Sequence, residues 1–262
     1  MPPHLPTSEA RALGLPGSDV YRYSHLLYID PLHRDNGAVR LNIEALHAFR
    51  DTLLIARSTE LKKEQAEVAT WLAQGGFESN RDYPWGATSM KRMEYINYEH
   101  LKIACGFELH LKARLLARDV VIHEIDAKAP GCRDLASEQT QRPVSRAELF
   151  SVTSYRFDGN SNYLPGLKQG SIRFSWLTEK PEYSRALELR ADVVEIIDEF
   201  RELRNQIHFP GDILETPKIS ALKQPISEFL TQFLNSEVIQ WSNALIEAHK
   251  MNWRPIEPLG DA

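Results

Sequence analysis

The stretch PEYSRALELRADVVEIIDEFRELRNQI, residues Pro181–Ile207, sets the reading of the fold. Ala186, Leu189, Val193, Ile196, Phe200, Leu203 and Ile207 recur at steps of three and four. That spacing lines them along one face of a helix and makes a seam that must be buried. Thr178 is the expected N-cap, and Glu179 and Glu182 suit the positive end of the helix dipole. Phe209-Pro210-Gly211 closes the helix, because the residue before a proline avoids the helical region.

Working outward, three more helical patterns appear. The first spans about 39–74, with Leu46, Phe49, Leu53, Leu54, Ala56 and Leu61 at helical spacing and Gly75-Gly76 as its stop. In the loop that follows, Tyr83 and Trp85 are expected packing anchors. The second pattern spans about 90–125, with Ile96, Leu101, Ile103, Phe107, Leu111, Leu115, Val120 and Ile122 on its apolar face. The last spans about 219–251 through Leu222, Ile226, Phe229, Phe233, Val238, Trp241 and Leu245, with Pro225 in its first turns or marking a break.

Long helices with one apolar face must pack on one another. The expected fold is all-α, an antiparallel bundle of about four long helices. Residues 127–180, rich in proline and turn residues, read as an irregular insertion between the second and third helices. Within it, 150–157 and 171–177 read as brief strands or irregular loop. Residues 1–18 and 253–262 read as flexible tails, leaving 19–252 as a single domain.

Composition narrows the function. The 262 residues carry a formal net charge of −5, so any nucleic-acid contact must come from a local patch. The two cysteines, Cys105 and Cys132, make neither a disulfide framework nor a zinc site, which fits a reducing cytoplasm. No secretory signal and no membrane-length apolar run is visible. No cofactor is indicated: there is no glycine-rich phosphate loop, no His-Glu-x-x-His pattern and no nucleophile signature. His100 and His110 are ten residues apart and read as structural or surface groups, not as metal ligands. His123-Glu124 reads as a helix end cap.

The densest chemistry lies in Phe200–Gly211. Arg201, Arg204 and His208 stand at i, i+3 and i+7 and share one stripe. A histidine can move a proton and an arginine can hold and neutralise a phosphate, which is the equipment for cutting RNA without a metal. The plain alternative is that cations favour the last turn of a helix, with Asp198 and Glu202 pairing with Arg201.

Leu203-Arg204-Asn205-Gln206-Ile207-His208-Phe209-Pro210-Gly211 resembles the motif of the HEPN superfamily, the all-helical domains of prokaryotic toxins and defence systems. Gly106-Phe107-Glu108-Leu109-His110-Leu111-Lys112-Ala113 is similar to the Glu-then-Lys helix early in many such domains. The resemblance implies a homodimer with its motifs face to face and metal-independent cleavage of RNA. His208 would be the general base or acid, Arg204 or Arg201 the phosphate clamp, and Asn205 an orienting or phosphate-contacting group. Glu108 would pair with an arginine to hold the site, or with Lys112 at i+4. An antitoxin or defence-system protein is an implied partner. From Arg204 three residues intervene before His208, one fewer than the usual minimum, and from Arg201 six intervene. Either Arg201 partners His208, or the site has drifted and activity is lost. The rival class is a non-catalytic HEPN-like module that binds a partner protein or nucleotide.

Overall fold

The computed structural model describes residues 34–56, 66–67, 70–71, 73–75, 87–153, 166–206, 226–251 and 254–259. Among them it is mostly helical, with a small antiparallel sheet. In order come α1 (Arg34–Ala56), α2 (Ala87–Ala117), β1 (His123–Ile125), α3 (Arg133–Gln139), α4 (Arg146–Val152) and β2 (Leu167–Ser171). Then follow α5 (Phe174–Glu179), α6 (Pro181–Leu187), α7 (Ala191–Gln206), α8 (Ile226–Phe233), a π-helical stretch (Leu234–Ile239) and α9 (Gln240–Ala248).

The sheet corrects the all-α expectation. The second long helix stops at Ala117, not near Ile125, because Asp119 turns left-handed (φ +67°). There Val120 N–H bonds back to the Leu115 carbonyl at 3.1 Å, which ends the helix. The chain then leaves as β1, so His123 lies in a strand and caps no helix. β1 pairs antiparallel with β2, His123 opposite Ser171 and Ile125 opposite Leu167, with an irregularity between. The 171–177 run ends β2 and enters α5, and the described residues of the 127–180 insertion include three short helices and a strand.

The long helix expected over 181–207 is two. Glu188 takes a left-handed conformation (φ +53°) and separates α6 from α7. Thr178 lies inside α5, and Lys180 is the N-cap of α6, with Pro181 in the first turn where its missing N–H costs nothing.

The chain divides into two compact units. The first holds residues up to Asn42, His110–Val194 and Ala244–Arg254; the second holds Ile43–Leu109, Glu195–Asn243 and Pro255–Ala262. In the first, Leu115, Leu116, Val121, Ile122, Val144, Leu149, Ile172, Leu177 and Tyr183 are buried around the sheet. Buried Gln139 stitches α3 to β1: its carboxamide oxygen accepts from Ile125 N–H and its NH₂ donates to the His123 carbonyl, both at 2.8 Å. Tyr183 O–H donates to the Gln139 carbonyl at 2.8 Å. A capping box opens α4, with the Ser145 hydroxyl accepting from Glu148 N–H and Glu148 accepting from Ser145 N–H. Glu148 also takes Arg142 at 2.7 Å, and that guanidinium above all holds its carboxyl well below the usual carboxylate range. Asp119 accepts from both Arg34 and Arg146, and Asp35 takes Arg34 and His249, tying the start of α1 to the end of α9.

In the second unit four helices supply phenylalanines to a common cluster. Phe107 of α2 sits at its centre, 5.1 Å from Phe49 of α1, 5.1 Å from Phe233 of α8 and 5.7 Å from Phe200 of α7 between ring centroids. Two of these contacts are edge-on, the favoured arrangement for aromatic quadrupoles. Gly106 lets α1 approach: a Cβ there would stand 2.8 Å from the Phe49 ring. The stretch 254–259 is held by two carboxamides. Asn235 brackets the Leu259 backbone and Asn243 the Ile256 backbone, each donating to the carbonyl and accepting from the N–H.

Candidate functional site

The second unit carries the arginine cluster, because α7 turns its apolar seam inward. Of the expected seam Phe200 and Leu203 are buried and Ile196 is half-buried, while Ile197 beside it is fully buried, so the inward face is rotated toward the side that carries Arg201 and Arg204. The two arginines meet different surroundings. Arg201 is buried, with its side chain only 10% exposed. Its Nε donates to Asp198 Oδ1 at 2.8 Å and its Nη2 pairs with Glu202 Oε1 at 2.6 Å. A buried guanidinium is tolerated only when so compensated.

Arg204 keeps a third of its side chain exposed, and its Nη1 donates to Glu108 Oε2 at 2.6 Å. Glu108 comes from α2, 96 residues earlier, so the bond clamps two helices of the unit together. Asn205, the next residue along, is exposed. His208 and the Phe209-Pro210-Gly211 closure lie outside the described residues. The structure thus brings together Arg204 and Glu108, leaves Asn205 exposed next to Arg204 in the chain, and commits Arg201 to its own helix.

The local field is not basic. α7 carries five carboxylates, Asp192, Glu195, Asp198, Glu199 and Glu202, against the two arginines. Any phosphate held here must therefore be held by directed hydrogen bonds and not by a diffuse positive surface.

The two histidines set aside as structural are both buried. His100 stands edge-on to Phe200, ring centroids 6.3 Å apart. In the other unit, His110 Nδ1 donates to Asn42 Oδ1 at 2.5 Å. Complete burial, helped by the nearby Arg114, brings the His110 pKa down to about 3, so its imidazole is neutral.

One cluster escaped the sequence reading. Arg133, Lys168, Arg173 and Trp176 line one cavity in the first unit. The residues come from three separate elements, so no local spacing announces them; only Arg173 and Trp176, three apart, are near in sequence.

No protein-family model matches the chain, and no match to it is found among curated proteins or among solved structures. Among the described residues, no helix is long and apolar enough to cross a membrane.

Proposed function

We propose that this chain is a HEPN-like helical bundle domain that cleaves RNA without a metal, as a homodimer in the cytoplasm, in a toxin or antiviral defence role. One observation carries the reading. The two fragments that resemble the superfamily meet through Glu108 and Arg204 at 2.6 Å, although 96 residues separate them. Arg204, not Arg201, is the phosphate clamp, since Arg201 is engaged by Asp198 and Glu202.

In this reaction His208 accepts the proton of a ribose 2′-hydroxyl. The 2′-oxygen attacks the adjacent phosphorus, and the P–O bond to the 5′-oxygen breaks. The departing oxygen takes a proton from solvent water, leaving a 2′,3′-cyclic phosphate and a free 5′-hydroxyl, and His208 returns its proton to solvent. Arg204 neutralises the charge that builds on the phosphorane, while Glu108 keeps the guanidinium aimed. Asn205 contacts the phosphate or orients the pair. An antitoxin or defence-system protein is the natural control on such an activity.

The test is incubation of the unmodified chain, Arg204→Met and His208→Ala with total RNA, followed by mapping of the cleaved ends. Cleavage by the unmodified chain should persist in EDTA and fall about 100-fold or more in either variant, a loss typical of removing one transition-state donor or proton carrier. Intact DNA should survive, because it lacks the attacking hydroxyl.

A second reading is favoured by one feature: carboxylates neutralise both arginines. In that reading the domain is a non-catalytic HEPN-like module that binds a partner protein or nucleotide, and the arginines serve only its packing. It is preferred if the unmodified chain leaves all RNA intact while Arg204→Met lowers the thermal midpoint.

A further inference from the structure

The first unit contains a cavity of about 390 Å³ between β1, β2, α3 and α5. Its volume lies within the range of small-molecule sites, roughly 300–1,000 Å³. Three cations line it, Arg133, Lys168 and Arg173, against one carboxylate, Glu124. Glu124 is divided between two of them, at 3.1 Å from Lys168 and 3.9 Å from Arg173. Arg133, exposed at the start of α3, has no ion-pair partner among the described residues.

The cavity also has an aromatic wall. Trp176 lines it, half-buried, with the Arg173 guanidinium 5.8 Å from the ring centroid. Ser137, one helical turn after Arg133 on α3, also lines the cavity. The base of the cavity is rigid, because Gln139 locks α3 to β1 through both ends of its carboxamide. Cations flanking an indole suit a ligand that carries a phosphate and a flat ring together.

We propose that this cavity binds a nucleoside monophosphate unit, with the base against Trp176 and the phosphate between Arg133 and Lys168. The unit comes either as a free nucleotide or as the phosphorylated 5′ end of an RNA. The site uses no residue of the arginine cluster in the other unit, so it stands or falls apart from the ribonuclease reading.

The experiment is isothermal titration calorimetry on the full chain with AMP, UMP, a 5′-phosphorylated oligoribonucleotide, its 5′-hydroxyl counterpart and inorganic phosphate. To keep any cleavage out of the readout, the two oligonucleotides carry 2′-O-methyl riboses. A mononucleotide should bind saturably, and Arg133→Ala with Lys168→Ala should weaken it at least tenfold. Both positions are exposed, so the variants should fold normally. Trp176→Leu should cost a further several-fold, with Trp176→Phe recovering most of it. Saturable binding of the 5′-phosphorylated oligonucleotide with no binding of free nucleotides would support the site and assign its ligand to an RNA end. Three results would overturn the proposal: no saturable binding of any phosphorylated probe, affinity unchanged in the double arginine-lysine variant, or inorganic phosphate and the 5′-hydroxyl oligonucleotide binding as well as the nucleotides.

Discussion

Lowering the pH from 7 to 5 should weaken the fold around His110 by about 2 kcal/mol, and replacing His110 with glutamine should remove that loss. The imidazole is fully buried and bonded to Asn42, and it resists protonation until about pH 3, against an ordinary value of 6.5. In the unfolded chain the same ring takes up its proton near the ordinary value. Between the two values the unfolded state therefore holds more protons, and stability falls as the pH drops. By pH 5 the unfolded chain has passed its titration point by about 1.5 pH units, which corresponds to roughly 2 kcal/mol; the full loss on approaching pH 3 is of order 4–5 kcal/mol. The carboxylate Glu148, held low by Arg142, contributes stability that is lost mainly below its ordinary value of 4.5, so it stays out of the window from 7 to 5, and the comparison with His110→Gln separates this histidine from the other eight. The assay is urea unfolding of the full chain at both pH values for the unmodified protein and for His110→Gln, whose amide can still donate to Asn42. An equal loss of stability in both proteins would refute the claim that a neutral, buried imidazole sits there.

Other consequences are smaller and as direct. Ser145→Ala removes the hydroxyl that caps α4 and should cost about 1 kcal/mol in urea unfolding, while Ser145→Asp should keep most of it. Glu188→Gly should raise stability by roughly 0.5–1 kcal/mol, because the residue sits at φ +53° where glycine is unstrained; its exposed ion pair with Arg118 is worth little against that. Asn243→Ala should release the Ile256 backbone, read as faster amide hydrogen exchange at Ile256 with the Phe107 cluster still protected.

Regular spacing made the seam of α7 legible in part: Phe200 and Leu203 are buried as the spacing requires, but Leu189, Val193 and Ile196 are only half-buried and Ile197, outside the expected row, is buried instead. Phe49, Phe107 and Phe233 were legible for the same reason, and they meet Phe200 in one cluster. The breaks were not legible. Asp119 and Glu188 adopt left-handed conformations that carry no glycine or proline to announce them. Asp119 holds its turn through tertiary bonds to Arg34 and Arg146, and such bonds leave no trace in local spacing. The β1–β2 pair was obscured likewise, since Val120 and Ile122 continue the helical pattern of α2 by coincidence of spacing. At the site, an arginine was one of two partners expected for Glu108, the other being Lys112; Glu108 takes Arg204, while Lys112 donates to Ser171. Which arginine it chose depended on how α7 is rotated against α2, a matter of packing.

That rotation decides the chemistry available. Arg201 and Arg204 lie three residues apart on one helix, yet one is sunk among carboxylates of its own helix and the other reaches across to α2. Freeing Arg201 to meet a phosphate would break two ion pairs around a guanidinium that is itself only 10% exposed, so its charge is spent on the fold. Arg204 differs because Glu108 engages one of its terminal nitrogens and a third of the side chain still faces water. A guanidinium has five donors in a rigid fork, so one carboxylate can aim it and leave donors for a second anion. Glu108→Gln separates the two roles of that carboxylate. If Glu108 only aims the fork, glutamine keeps the hydrogen bond through its amide oxygen, drops the competing charge, and should tighten phosphate binding at Arg204. If the pair serves packing alone, the substitution should lower stability by up to about 1 kcal/mol and leave phosphate affinity where it was.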